Sequence, residues 1–360
     1  MGIIEHRLNR RSALGVAVAA GAAVALPITV DARPPRPEWK HQRNFGTDGA
    51  GLGELDDPMG IALSNDGYMA LVVDTINSRV SVWSKVNKTW VWQQNFGSFG
   101  SLDDEFIFPQ FVALSPDGLT AYVADTGNGR VSIWGLGLGG WFHIENFGTI
   151  GDTDQEFGLP TGIGVSYDGS VLVADFALNR VAVWQLVAGV WTCTQTFGTP
   201  SYNGNIPGDS PWNIVGPVGI GMTPDARSAF VCLEGESRIS IWNSINGRWI
   251  YDTSLGHPLG SNPGQTFYPT DVAVGRNGQT CLVSDSDNHR VSVWRKKHGG
   301  WQHVGMFGLP GAGPEKFGIT TGISVTNNGR DVLVVDQTNS RVSQWKATRW
   351  GRRMGRKDSY

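Results

Sequence analysis

From residue 61 onward the chain alternates short apolar runs with polar clusters, and the first such module sets the pattern. Ile61 to Leu63 is apolar and ends at Asn65-Asp66-Gly67, a tight-turn signal. Met69 to Val73 is a second apolar run, Asp74 to Ser78 a polar loop, and Val80 to Trp83 alternates as a strand does. A fourth run goes from Trp90 to Phe96-Gly97. The module therefore predicts four short strands in about 50 residues, joined by tight turns.

The module recurs six times. An Arg followed by a β-branched residue, with Trp four positions after the Arg, appears as Arg79/Trp83, Arg130/Trp134, Arg180/Trp184, Arg238/Trp242, Arg290/Trp294 and Arg341/Trp345. Successive arginines are 51, 50, 58, 52 and 51 residues apart. Asp74, Asp125, Asp175, Asp285 and Asp336 stand five residues before their arginines. Upstream lie Pro58, Pro109, Pro160, Pro217 and Pro269, with Thr320 in the sixth place. Six four-stranded repeats predict an all-β fold, a six-bladed β-propeller with four antiparallel strands per blade. A solenoid is the competing arrangement, and it requires capping repeats at both ends. Here the ends are permuted instead. Trp39 precedes Phe45-Gly46 by the interval that recurs at Trp90/Phe96, Trp141/Phe147 and Trp191/Phe197, so the repeats open on a lone fourth strand. The last module, after Trp345, lacks one. Residues 39–45 are thus expected to close the ring on the blade that begins near 318, removing the exposed edges of an open array.

The pattern Pro-x-Gly-Ile-Ala, then Asp-Gly, then Val-x-Asp-x-x-Asn-x-Arg-Val-x-Val-Trp resembles the NHL repeat over residues 39 to 347. That resemblance implies a propeller but not one function, since NHL propellers include protein-binding platforms, RNA readers, receptor sensors and, in related forms, lyases. Ubiquitin-ligase members carry a Cys/His-rich RING, which residues 1–38 do not contain. RNA readers present a basic top face, whereas the loops here carry Asp56, Asp57, Asp103, Asp104, Glu105, Asp152, Asp154 and Glu156. The amidating lyases use metal-binding histidines. His41, His143, His257, His289, His298 and His303 show no short ligand spacing.

Composition adds to this picture. The 17% charged residues and 49 glycines exclude a coiled coil or a disordered acidic chain, and the net charge of −3 disfavours bulk electrostatic binding of nucleic acid. Cys193, Cys232 and Cys281 give no even disulfide framework and sit in apolar runs, so stability is expected to come from the core. The first 32 residues read as an export signal. Arg7, Arg10 and Arg11 precede an apolar run from Ala13 to Leu26, Pro27 breaks it, and Val30-Asp31-Ala32 offers a cleavage site. Asn9-Arg10-Arg11-Ser12-Ala13-Leu14 resembles a twin-arginine signal. An uncleaved anchor is the other reading, although about 20 residues are needed to span a bilayer. Residues 33–38 form a Pro-rich linker, residues 39–347 the propeller, and residues 348–360 a basic tail containing Arg349, Arg352, Arg353, Arg356 and Lys357. The protein is accordingly expected outside the cytoplasm (periplasm, cell surface or extracellular space), as a monomer without a transmembrane span once the signal is removed.

Residues present in every blade are expected to build it. Twelve of the 15 tryptophans occupy the two repeated positions. Asp74, Asp125, Asp175, Asp285 and Asp336 are expected to accept loop N–H groups. Arg79, Arg130, Arg180, Arg238, Arg290 and Arg341 should pair with carboxylates, and Asn77, Asn128, Asn288 and Asn339 should form turns. On the first strand, Gly60, Gly162, Gly164, Gly219, Gly221 and Gly322 leave room where blades converge, and Ile61, Leu63, Ile163 and Val165 fill the wider side.

A binding site must instead break the symmetry. From Gly198 to Pro217 the connection is 19 residues against 12 or 13 elsewhere, and the extra loop holds Tyr202, Asn203, Asn205, Asp209 and Trp212. The same unit has Leu233 where the others have Asp, followed by Glu234 and Glu236. Asp271 is the sole charge at the position of Gly60. These features favour a non-enzymatic binding or scaffold propeller recognising a protein, peptide or glycan on its top face, through Tyr202, Asn205, Asp209, Trp212, Glu234 and Asp271, without cofactor, metal or nucleic acid. The alternative is a metal-dependent lyase or lactonase-like hydrolase at the channel mouth, binding Ca²⁺ or Zn²⁺ through Asp271, Glu234, Glu236, His257 and His289.

Overall fold

The computed structural model describes residues 39–198, 212–223, 225–276 and 278–348. The proposed signal, the linker, the tail beyond Thr348, and Tyr202, Asn205 and Asp209 lie outside the described residues. Six four-stranded antiparallel sheets form the ring of a six-bladed β-propeller. The first blade comprises Pro58–Leu63, Met69–Asp74, Arg79–Val86 and Thr89–Phe96, from axis to rim. Blades two to five repeat this order, with innermost strands Val112–Leu114, Pro160–Val165, Pro217–Met222 and Pro269–Val274. The sixth contains Thr320–Val325, Asp331–Asp336 and Arg341–Ala347, and its outermost strand is Trp39–Phe45. Trp39 lies opposite Ala347 and Phe45 opposite Val342, so the chain closes on itself through its first strand. No described helix is long and apolar enough to cross a membrane.

Closure follows from packing between blades. The Phe that ends each outer strand inserts between two tryptophans of the next blade. Phe96 lies 4.7 Å from Trp134 and 5.5 Å from Trp141, and Phe147 lies 4.9 Å from Trp184 and 4.8 Å from Trp191. The closing strand takes part in this unit at both junctions of the sixth blade, with the fifth blade through Trp39 and with the first through Phe45. Phe307 meets Trp345 and Trp39 at 4.7 and 5.1 Å, and Phe45 meets Trp83 and Trp90 at 4.8 and 5.4 Å. One junction departs from this: Leu255 takes the Phe position and packs in the cluster that contains Trp294 and Trp301.

The alternation of Val80-Ser81-Val82-Trp83 does not divide core from solvent, since all four residues are buried. A blade has a neighbour on either side, so both faces of its third strand are covered. In-and-out alternation survives at the rim, where Trp90 is buried and Val91 exposed. Opposite each repeated Trp the outer strand carries an irregularity of register, and such bulges add the twist that fits one blade against the next. At the axis, small residues set the spacing. A Cβ on Gly322 would stand 2.6 Å from the Met59 carbonyl oxygen, and one on Gly60 would stand 2.7 Å from that of Gln110. Any side chain there would push the blades apart.

Burying one Trp of the triad removes roughly 150–250 Å² of surface from water, a gross gain of about 4–6 kcal/mol. Trp39→Ala, which opens a cavity in the closing seam, is expected to cost about 3–5 kcal/mol in urea unfolding. Trp212→Ala should change stability by less than about 0.5 kcal/mol, because Trp212 is 52% exposed. Equal effects would show that the first strand does not close the ring.

Candidate functional site

The face on which the innermost strands begin is shaped by one repeated ion pair. Asp74 ends the second strand and Arg79 begins the third, and the Arg79 Nε donates to Asp74 Oδ2 at 2.7 Å. The remaining guanidinium N–H groups donate to the carbonyls of Ala50, Gly51 and Glu54 in the connection arriving from the neighbouring blade. Asp74 Oδ1 accepts the backbone N–H of Asp56 at 2.7 Å, at the end of that connection. One buried pair thereby fixes two loops at once. The pairs Arg130–Asp125, Arg290–Asp285 and Arg341–Asp336 repeat it at 2.8, 2.7 and 2.9 Å. Burial holds the carboxyls of Asp74, Asp125, Asp285 and Asp336 above the usual carboxylate range, and their hydrogen bonds and arginines oppose it.

Two blades vary the device. Arg180 stands 3.8 Å from Asp175 and bonds Asp154 at 2.9 Å. In the fourth blade, where Leu233 replaces the aspartate, Glu236 receives Arg238 at 2.6 Å. The acidic loop residues Glu105 and Glu156 accept N–H groups of their own turns, from Leu102 and Thr153.

Inside these loops, centred on the axis, lies a cavity of about 640 Å³ to which all six blades contribute. Three repeat positions line it. The residue before the repeated Pro (Thr320 in the sixth blade) supplies Leu159, Tyr268 and Ile319; the residue after it supplies Met59, Gln110, Thr161, Val218, Thr270 and Thr321; and the first residue after the second strand supplies Thr126, Phe176, Glu234, Ser286 and Gln337. Among the described residues the lining contains the carboxylates Glu234 and Asp287 and no Lys, Arg or His.

Most of its hydroxyls are committed to the scaffold. Thr126 donates to Pro160 O at 2.7 Å, Thr161 to Pro217 O at 3.0 Å, Thr270 to Thr320 O at 2.9 Å and Thr321 to Met59 O at 3.0 Å, each bond crossing to the next blade. Ser286 donates to Thr320 O. Ligand-facing chemistry is left to the aromatic, aliphatic, amide and carboxylate groups. Tyr268 adopts a φ of +48°, a strained left-handed conformation for an aromatic residue, and remains 40% exposed. The Glu234 side chain is half-buried, and its carboxylate has no hydrogen-bond or ion-pair partner among the described residues. Burial first, and the charge of Asp287 second, push its carboxyl up.

The residues singled out from the sequence separate in space. Glu234 lines the mouth, whereas Glu236 is engaged with Arg238. Trp212 is exposed on the long connection, whose Asn213 carbonyl accepts from Arg238 at 2.9 Å. Asp271 lies in a second, axial cavity of about 200 Å³ walled by the innermost strands. It is buried, its two oxygens accepting the N–H groups of Val272 at 2.8 Å and Ile323 at 2.9 Å. His257 is exposed, and His289 Nδ1 bonds the Gly318 carbonyl. Among the described residues no group of three or more His, Cys, Asp or Glu side chains gathers as metal ligands. Sequence reasoning had not singled out Phe176, Tyr268, Met59 or Gln337. Their signal is positional: each is a variable residue beside the repeated Pro-x-Gly or the repeated Asp.

No family model matches the chain, and no curated protein matches it. Solved structures match by fold. A protein from Lactobacillus plantarum is 15% identical, covering 85% of this chain and 92% of its own, with a TM-score of 0.57. Hydrazine synthase of Kuenenia stuttgartiensis is 15% identical over 82% of this chain and 96% of its own, with a TM-score of 0.57. A candidate 6-phosphogluconolactonase from Bacteroides uniformis is 15% identical over 85% and 92%, with a TM-score of 0.54. At such identity these likenesses establish the propeller alone.

Burial pushes the Asp271 carboxyl up to about 7, against the pull of its two backbone hydrogen bonds. The native state then holds a proton that the unfolded state releases near pH 4, so this site's stabilising contribution is full at acid pH and lost as pH rises towards 7. Relative to Asp271→Asn, the unfolding free energy of the parent protein should fall between pH 4 and pH 7 by up to about 4 kcal/mol, then level off. Parallel stability profiles for the two proteins would contradict this account of Asp271.

Proposed function

We propose that the protein is a non-enzymatic binding propeller that acts outside the cytoplasm and receives an extended segment of a partner protein in its axial mouth. The observation that carries this reading is the lining itself: an open cavity of about 640 Å³ walled by Met59, Leu159, Phe176, Val218, Tyr268 and Ile319, with few free polar groups. Concave, mainly apolar sites with a few placed polar groups are the usual form of ligand pockets. A glycan would need many directed hydrogen bonds, and the hydroxyls of Thr126, Thr161, Thr270 and Thr321 are already spent between blades.

Hydrolysis or elimination finds less support. Among the described residues the lining offers no imidazole, thiol or amine, and its Thr126, Thr161, Thr270, Thr321 and Ser286 hydroxyls donate to backbone carbonyls rather than to a base. A phosphorylated sugar lactone would meet two carboxylates and no cation in this mouth. The twin-arginine-like residues Asn9 to Leu14 support export of the folded ring.

The reading is tested by selecting displayed peptides on the full chain. Recovered peptides should bind with micromolar affinity and lose at least tenfold with Phe176→Ala combined with Tyr268→Ala. The melting temperature of that variant should shift by only a few degrees, as both side chains are more than a third exposed. Binding indifferent to these substitutions would remove the mouth as the site.

A further inference from the structure

The mouth is lopsided in charge, and the asymmetry traces to one substitution. In four blades the aspartate that ends the second strand is buried on its own arginine, as Asp285 is on Arg290 at 2.7 Å, and in the third blade Asp175 is buried with Arg180 3.8 Å away. In the fourth blade Leu233 takes that buried place and Arg238 turns to Glu236. Glu234, which follows Leu233 and opens the same short turn, has no partner for its carboxylate among the described residues and lines the cavity. The next blade places Asp287, which is exposed, close enough for its negative charge to act on Glu234. The Phe176 ring borders the same sector: a Cβ on Gly216 would stand 3.2 Å from both its Cε2 and the Gly235 N. Tyr268 borders the other side, its backbone N–H lying 3.4 Å from Ser237 Oγ. Two like charges in a partly desolvated pocket between aromatic rings, with no cation in the lining, form a site complementary to one positive group on an apolar stem.

We infer that the occupant of the mouth is a peptide segment carrying a lysine or arginine side chain, seated with its cation between Glu234 and Asp287 and its aliphatic stem against Phe176 and Tyr268. This rests on the binding reading above and adds the chemical class of the ligand. The occupant is amphipathic: neighbouring apolar side chains meet Met59 and Ile319, and the basic side chain selects the register. An anionic segment is excluded by the same two carboxylates.

The test uses the full chain and four fluorescently labelled, capped hexapeptide libraries, each with one fixed central residue: lysine, arginine, norleucine or glutamate. Fluorescence polarisation should show the lysine and arginine libraries binding at least tenfold tighter than norleucine, and glutamate weakest. Glu234→Gln combined with Asp287→Asn should bring lysine, arginine and norleucine to one affinity with the melting temperature unchanged or raised. Norleucine binding as well as lysine to the parent protein, or lysine preference surviving the double variant, overturns the cationic assignment while the apolar mouth stands. Binding of a neutral oligosaccharide panel with no peptide retained overturns the peptide class. Retention of no probe at all overturns the binding reading and the assignment together.

Discussion

Each blade is held in place by a neighbour's ring. A single four-stranded sheet buried on both faces cannot satisfy its own side chains, and the Phe–Trp–Trp contact is how adjacent sheets satisfy each other. Because every sheet both gives an apolar side chain and receives one (phenylalanine at five junctions, Leu255 at the other), the arrangement is stable only when the last sheet finds the first. The closing strand, with Trp39 against the fifth blade and Phe45 against the first, is therefore the condition under which the other junctions make sense. The glycines at the axis follow from this, since rings at the rim fix the wedge angle and the innermost backbones must then approach within contact distance.

The buried Arg–Asp pairs do a different job on the top face. A buried ion pair adds little net stability once desolvation is subtracted, yet removing either partner leaves an orphaned charge. Their use here is geometric. Each guanidinium reads the carbonyls of an incoming connection while the paired aspartate reads its terminal N–H, so the loops around the mouth are tied down at several points. Rigid loops let the mouth's variable positions act as a surface of fixed shape.

What the sequence disclosed and what it hid follow from that division. Trp83, Phe96, Arg79 and Asp74 recur because each blade needs them, so repetition alone exposed the fold, its strand order and the permuted closure. The mouth was hidden for the same reason: the positions of Met59, Phe176 and Tyr268 change chemistry from blade to blade, and only the ring brings these three together. The fourth module breaks the repeat twice, in the long insertion after Gly198 and in the change of Asp to Leu233, and the residue after the second break, Glu234, is the one that reaches the lining. Asp271 stood out in the sequence as a charge in a row of small residues. The backbone N–H groups of Val272 and Ile323 that hold it became visible only in three dimensions.

The permuted closure also decides how the molecule can be held. Trp39 enters and Ala347 leaves side by side, at the end of the sixth blade remote from Arg341 and the mouth. A tether attached at either terminus of the ring, be it a lipid, a resin or a fused domain, would grip the underside and leave the opening presented outward like a bowl on a stand.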